Sequence, residues 1–130
     1  MRFLDSDVMI DLLRGYQPAV AWFTSYDGDK LVLPGYVVME LLTWPGIKTK
    51  SLLQKLHGAL AEFPVYWASP DASNEAMRDV YIKRLSHSLN PTDALIGHCA
   101  REYGSVLYTF NHKHFKLIEG LRIEQPYQRQ

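Results

Sequence analysis

Four oxygen-bearing side chains, far apart along the chain, stand where they could surround one divalent cation: Asp5, Glu40, Asp93 and Asn111. Carboxylates brought together repel one another and raise each other's pKa unless a cation neutralises them. Ligand sets made only of oxygen atoms suit Mg²⁺ or Mn²⁺. Water bound to such a cation is a better nucleophile, and the cation offsets charge on a phosphodiester transition state. These residue types therefore indicate hydrolysis of a phosphate ester.

The elements that must position these side chains alternate along the chain. Short apolar runs predict strands at residues 2–5, 31–33, 65–68 and 106–108, with a short fifth strand beginning at Ile123. Helical patterns are predicted from Ser6 or Asp7 to Gly15, then over residues 18–26, 36–44, 49–63, 71–86 and 90–104. This alternation is typical of an α/β fold, with a mostly parallel sheet of four or five strands flanked by helices. The strand order cannot be read from the pattern.

Chemistry in an open parallel sheet gathers outside the carboxyl ends of the strands. Asp5 ends the first predicted strand, Glu40 lies in the helix that follows the second, and Asn111 comes just after the fourth. Asp93 opens the helix that leads into the fourth strand, so it is expected at the same edge. We therefore expect all four side chains to meet there.

Structural roles are open for each acid taken singly. Asp5 could only cap the first helix, and Asp93 could be the third-residue partner of a cap at Asn90. Glu40 stands between apolar residues, where a buried carboxylate would be costly unless it were paired or bound to a metal. The coincidence of three acids favours a site.

Composition bounds the setting of the protein. The chain has 14 basic and 14 acidic residues, which weighs mildly against a dedicated nucleic-acid-binding surface. The single cysteine, Cys99, allows no internal disulfide and favours the cytoplasm, and no apolar run is long enough to predict a membrane helix. A local basic run, His112 to Lys116, is equally consistent with a grip on RNA phosphates and with a solvated loop.

Four segments, in order and spanning nearly the whole chain, resemble those of PIN-domain ribonucleases, in particular the small toxins of VapBC toxin–antitoxin modules. They are FLDSDVMIDLL at residues 3–13, VVMELL at residues 37–42, DALIGHCA at residues 93–100 and VLYTFNHKHF at residues 106–115. The resemblance implies a single PIN-like domain over residues 1–130, a three-layer sandwich of helices around the sheet.

The same resemblance implies a function and its residues. Asp5, Glu40 and Asp93 would hold Mg²⁺ or Mn²⁺, with Asn111 at the fourth position of the site. The implied activity is endonucleolytic cleavage of single-stranded or structured RNA, by a homodimer inhibited by an antitoxin encoded alongside. Contacts with RNA are expected from Thr109, His112, Lys113, His114 and Lys116.

The chain departs from the family pattern at two places that matter. The fourth position, often Asp, is the neutral Asn111, and His114 takes another place where an acid can occur, so one metal ion is favoured over two. Gly97 replaces the usual Ala, a change expected only to loosen its helix slightly.

Two other functions remain open. Asp5 and Asp7 also fit the opening of haloacid-dehalogenase-type phosphatases, in which Asp5 would be a covalent nucleophile, but no later acidic pair follows a strand. Alternatively, Asn111 is compatible with a PIN-like domain that binds RNA or protein and has weakened or lost catalysis.

Overall fold

The computed structural model describes all residues, 1–130, as five strands and seven helices. The strands are β1 (Arg2–Leu4), β2 (Leu31–Pro34), β3 (Val65–Tyr66), β4 (Val106–Tyr108) and β5 (Arg122–Glu124). The helices are α1 (Ser6–Leu13), α2 (Gln17–Ser25), α3 (Gly35–Leu42), α4 (Lys50–Leu60), α5 (Pro70–Lys83), α6 (Pro91–Glu102) and α7 (His112–Phe115).

The five strands form one sheet in the order β3-β2-β1-β4-β5, and every neighbouring pair is parallel. Phe3 of β1 pairs with Val32 of β2 on one side and with Leu107 of β4 on the other. All five strands therefore present their carboxyl ends at one edge. The predicted α/β class and mostly parallel sheet are confirmed.

The core lies on both sides of the central strands. Phe3 and Leu4 of β1 are fully buried, as are Val32 and Leu33 of β2. Successive residues of a strand point to opposite faces, so burial of both members of each pair means that helices cover both faces. This packed core fixes the end of β1, which carries Asp5, and the end of β4, from which the following segment leaves.

Some element details differ from the sequence prediction. Helix α5 was predicted to begin at residue 71; it begins at Pro70, capped by Ser69, whose hydroxyl accepts the Ala72 N–H at 3.1 Å. Leu56 and Leu60 of α4 are buried and Leu52 and Leu53 are exposed, so only some of the apolar residues of this helix pack against the core. No helix was predicted after β4, and the chain forms the short α7 there. No helix has both the length and the apolar character needed to cross a membrane.

Candidate functional site

Asp5 lies at the carboxyl end of β1 and is also the cap of α1. Its Oδ1 accepts the Ser6 N–H at 2.8 Å, and its Oδ2 accepts the Thr109 hydroxyl at 2.7 Å. The residue is only 4% exposed. Burial, and then the charge of Asp7, raises the pKa of Asp5 to about 7. The capping role is therefore present, but it does not remove the cost of holding a buried charge.

Asp7 belongs to the same cluster, although the sequence did not single it out for a metal site. Its Oδ2 accepts the Phe110 N–H at 2.9 Å and its Oδ1 accepts the Val8 N–H at 2.7 Å. Burial raises the pKa of Asp7, while these two N–H donors and the charge of Arg129 oppose the rise. Asp7 thus ties the start of α1 to the segment after β4.

Glu40 lies on the exposed side of α3. The sequence led us to expect a buried carboxylate among apolar neighbours, and this expectation is wrong: Glu40 is exposed, although Val37 and Leu41 of the same helix are buried. Its pKa is nevertheless raised, first by partial desolvation and then by the charges of Asp93 and Asp7. Glu40 is thus placed at the same cluster from the solvent side.

Asp93 lies in the first turn of α6, half-buried, and does not act as the partner of the Asn90 cap. The Asn90 side chain accepts the Thr92 N–H at 2.7 Å, whereas the nearest ionic partner of Asp93 is His114, at 3.6 Å from Oδ2 to Nδ1. Burial raises the pKa of Asp93, and His114 opposes the rise. The Asn111 amide nitrogen lies 3.2 Å from the same ring nitrogen.

Thr109 supports the cluster from inside the protein. Its hydroxyl donates to Asp5 and accepts the Asn111 N–H at 3.0 Å, and its carbonyl lies 3.1 Å from the His112 Nε2. Because Thr109 is fully buried, the expectation that it contacts RNA is wrong. His112 is turned back onto the backbone, whereas Lys113 and Lys116 are exposed and His114 is half-buried.

The donor set fits a hard divalent cation in its chemistry, but the side chains do not form a ready-made shell. Asp5 feels the charges of Asp7 and Asp93, and Glu40 feels those of Asp93 and Asp7, so the acids share one neighbourhood. No group of three or more His, Cys, Asp or Glu side chains is arranged to hold an ion. The carboxylates of Asp5 and Asp7 instead accept hydrogen bonds from protein donors, and coordination of one ion would require the acidic side chains to rearrange.

Solved structures of toxin–antitoxin complexes share this fold. A chain of a toxin–antitoxin complex from Klebsiella pneumoniae is 26% identical, with 99% of this chain and 100% of that chain covered and a TM-score of 0.74. A chain of VapBC2 from Rickettsia felis is 19% identical, with coverage of 95% and 96% and a TM-score of 0.77. A chain of VapBC-1 from nontypeable Haemophilus influenzae is 18% identical, with coverage of 96% and 97% and a TM-score of 0.78.

No protein-family model and no curated protein sequence matches the chain. Each structural match covers almost the whole of this chain and almost the whole of the matched chain. The matches therefore confirm the PIN-like fold and the predicted resemblance to VapC-type proteins. The fold and the acidic cluster at its carboxyl edge are the two findings from which a function can be inferred.

Proposed function

We propose that the protein is a metal-dependent endoribonuclease and the toxin of a toxin–antitoxin pair. The observation that supports the proposal is that burial raises the pKa of Asp5, Glu40 and Asp93, and that the charge of Asp93 adds to the rise at the other two. Such an arrangement costs free energy in the free chain, and a bound cation would recover that cost. The likeness to toxin–antitoxin complexes supports the same biological role.

Asp5, Glu40 and Asp93 would hold one Mg²⁺ or Mn²⁺ ion, which when bound supplies charge neutralisation and an activated water. The Thr109 hydroxyl holds the Asp5 carboxylate in one orientation through its 2.7 Å bond. Asn111 and His114 form the wall beside Asp93. Asn111 is neutral, so the set favours one ion over two.

One proposed partner is a cognate VapB-like antitoxin, because the similar structures are VapBC complexes. The other is a second copy of this chain. The free chain leaves apolar surface uncovered in a groove of about 430 Å³ lined by Leu12, Val20, Phe23 and Phe63, among others. Exposed apolar patches of this kind are typical of protein interfaces. The cytoplasm, where RNA and a reduced Cys99 would be found, is the proposed compartment.

The test is cleavage of single-stranded RNA by the purified protein with Mn²⁺, compared with the Asp93→Asn variant. We expect the variant to lose at least about a hundredfold in rate, because a metal ligand is removed while the shape of the side chain is kept. Circular dichroism and the melting temperature check that the variant is folded. Equal rates in the two proteins would show that Asp93 takes no part in cleavage.

The two alternatives predict different results. A domain that has lost catalysis would still bind RNA or protein, but it would not cut RNA with any divalent cation. A phosphatase using Asp5 as nucleophile would be trapped by beryllium fluoride, but the segment after β4 carries Thr109 and Asn111 and no acidic pair. Both oxygens of Asp7 also accept backbone N–H groups, which disfavours its use as an acid or base.

A further inference from the structure

A polar cleft lies beside the acidic cluster, between the loop that joins α5 to α6 and the short helix α7. Its volume is about 360 Å³. One wall is formed by residues 86–88, and the other by Lys113, His114, Lys116 and Leu117. We call it the basic cleft. The basic run in one wall was a candidate for RNA contact from the sequence, but its approach to the distant residues 86–88 was not predicted.

The lining of the basic cleft consists mainly of hydrogen-bond donors. Lys113 and Lys116 are exposed and neither forms a salt bridge, in contrast to Lys83, whose ammonium lies 3.2 Å from the Asp79 carboxylate. Ser86 and Ser88 supply hydroxyl groups from the opposite wall, and no carboxylate lines the cleft. In a chain whose net charge is zero, two unpaired ammonium groups in one concave surface are suited to an anion.

His114 connects the basic cleft to the acidic cluster. The same side chain lines the cleft and lies 3.6 Å from Asp93 and 3.2 Å from the Asn111 amide. A chain of phosphates that left the acidic cluster on the side of Asp93 would therefore enter the cleft directly. A single isolated phosphate would not need both the acidic cluster and the basic cleft, but a continuous strand would contact both.

We propose that the basic cleft binds the backbone phosphates of single-stranded RNA next to the cleaved bond, with Lys113 and Lys116 as the main contacts. This inference rests on the proposed nuclease function, because that function supplies the strand. Contacts with phosphates fix the position of a strand without reading its sequence. The cleft would thus determine where along a strand the acids act, and it would favour substrates that extend beyond the bond on this side.

The experiment measures binding separately from cleavage. Fluorescence anisotropy of a labelled single-stranded RNA is followed with the Asp93→Asn chain, and then with the same chain carrying Lys113→Gln and Lys116→Gln. We expect the affinity to fall about tenfold or more, and the slope of log K against log salt to become shallower by roughly 1.4, or about 0.7 for each lost phosphate contact. Single-stranded DNA of the same sequence should show a similar loss, because the contacts are with phosphate.

The matched control is Lys30→Gln with Lys55→Gln, which removes the same charge from two exposed lysines that do not line the cleft. The proposal would be overturned if the cleft substitutions left the affinity and the salt slope unchanged, or if the control substitutions changed them equally. It would also be overturned if the parent chain did not bind RNA, or if the cleft substitutions weakened the binding of RNA but not of DNA.

A separate cleavage assay distinguishes the two proposals. If the native chain cuts RNA and the cleft variant cuts and binds equally well, only the cleft proposal fails. If binding depends on Lys113 and Lys116 but no divalent cation supports cleavage, the cleft binds RNA phosphates as proposed, while the nuclease function and the placement beside a cleaved bond fail.

Discussion

Asp5 serves the fold and the proposed chemistry in ways that conflict. It caps α1 and accepts the hydroxyl of Thr109, yet it is buried beside Asp7 with a raised pKa. Asn in its place could still cap the helix without bringing a charge into the interior. A chain selected only for stability would lose this charge, so its presence is better explained by a function that needs it.

The raised pKa of Asp5 gives a prediction for stability against pH without divalent cations. A carboxyl whose pKa rises from 3.8 unfolded to about 7 folded binds more protons in the folded state between those values. Its contribution to stability is therefore greatest below about pH 4 and is lost as pH rises towards 7. Urea unfolding at a series of pH values measures the trend.

In Asp5→Asn this downward trend should be weaker. Added Mn²⁺ should raise the melting temperature of the native chain near neutral pH and should not raise that of the variant. An identical pH dependence in both proteins would show that Asp5 does not carry the buried charge.

Thr109→Val should destabilise the fold by about 1–3 kcal/mol, because it removes the hydroxyl that Asp5 and the Asn111 N–H both use inside the protein. Thr109→Ser keeps the hydroxyl and should cost clearly less. Urea denaturation near neutral pH gives both values. A loss in Thr109→Ser as large as that in Thr109→Val would mean that the methyl group matters as much as the hydroxyl at this position.

At the residue level, the sequence singled out acids that lie close enough for Asp93 to raise the pKa of Asp5 and Glu40, but it did not show how each is held. Asp5 and Asn111 could be placed because each follows a strand. Asp7 was not predicted as a member of the cluster, because its partner, the Phe110 N–H, is 103 residues away. The exposure of Glu40 depends on which side of α3 faces α1 and α6, and an apolar helix sequence does not reveal that orientation.

At the scale of the elements, Gly97 determines how closely α6 approaches the chain after α7. A Cβ built at Gly97 would lie 2.2 Å from Ile118 Cδ1 and 3.2 Å from Leu121 Cδ2. Gly97 is therefore a packing requirement, and the expectation that it only loosens the helix was incomplete. Because α6 also carries Asp93, this contact helps to set the position of one proposed ligand.

Gly97→Ala should destabilise the protein by about 1–3 kcal/mol, despite the better helix propensity of Ala, because the buried Ile118 must move. Ile118→Val shortens the obstructing side chain, so the double variant should recover part of the loss. Thermal unfolding of the three variants tests the expectation. Stabilisation by Gly97→Ala alone would show that the segment after α7 gives way easily.

The sequence predicted strands better than their arrangement. The predicted β4 matches residue for residue, and β1, β2 and β3 differ only at their ends. Their apolar runs are short and bounded by polar or turn-forming residues, which makes them readable. The order β3-β2-β1-β4-β5 depends on contacts between distant segments, and α7 is held by packing of Phe115 in the core, so neither has a local pattern.

At the scale of the whole molecule, the exposed apolar side of α5 suits a second copy of the chain. Met77, Tyr81 and Ile82 of α5 are exposed, Tyr81 to 81%, and Leu85, just beyond the end of the helix, is 95% exposed. A two-fold dimer places one such stripe against its own copy. The proposed homodimer therefore has a surface available for it.

Light scattering should give the mass of a dimer for the native chain and of a monomer for Tyr81→Glu. Leu52→Glu is the matched control, because it also replaces an exposed apolar side chain with a carboxylate, but on α4. A native monomer, or a dimer that survives Tyr81→Glu, would contradict this use of α5.

The central claim is that acids from β1, α3 and α6 hold one divalent cation. The most direct measurement is an anomalous difference map from a crystal of the native protein soaked with Mn²⁺. We expect one peak with oxygen atoms of Asp5, Glu40 and Asp93 at roughly 2.1 Å, or joined to it through bound water. A map with no peak among these three carboxylates, at a Mn²⁺ concentration that supports RNA cleavage, would contradict the account.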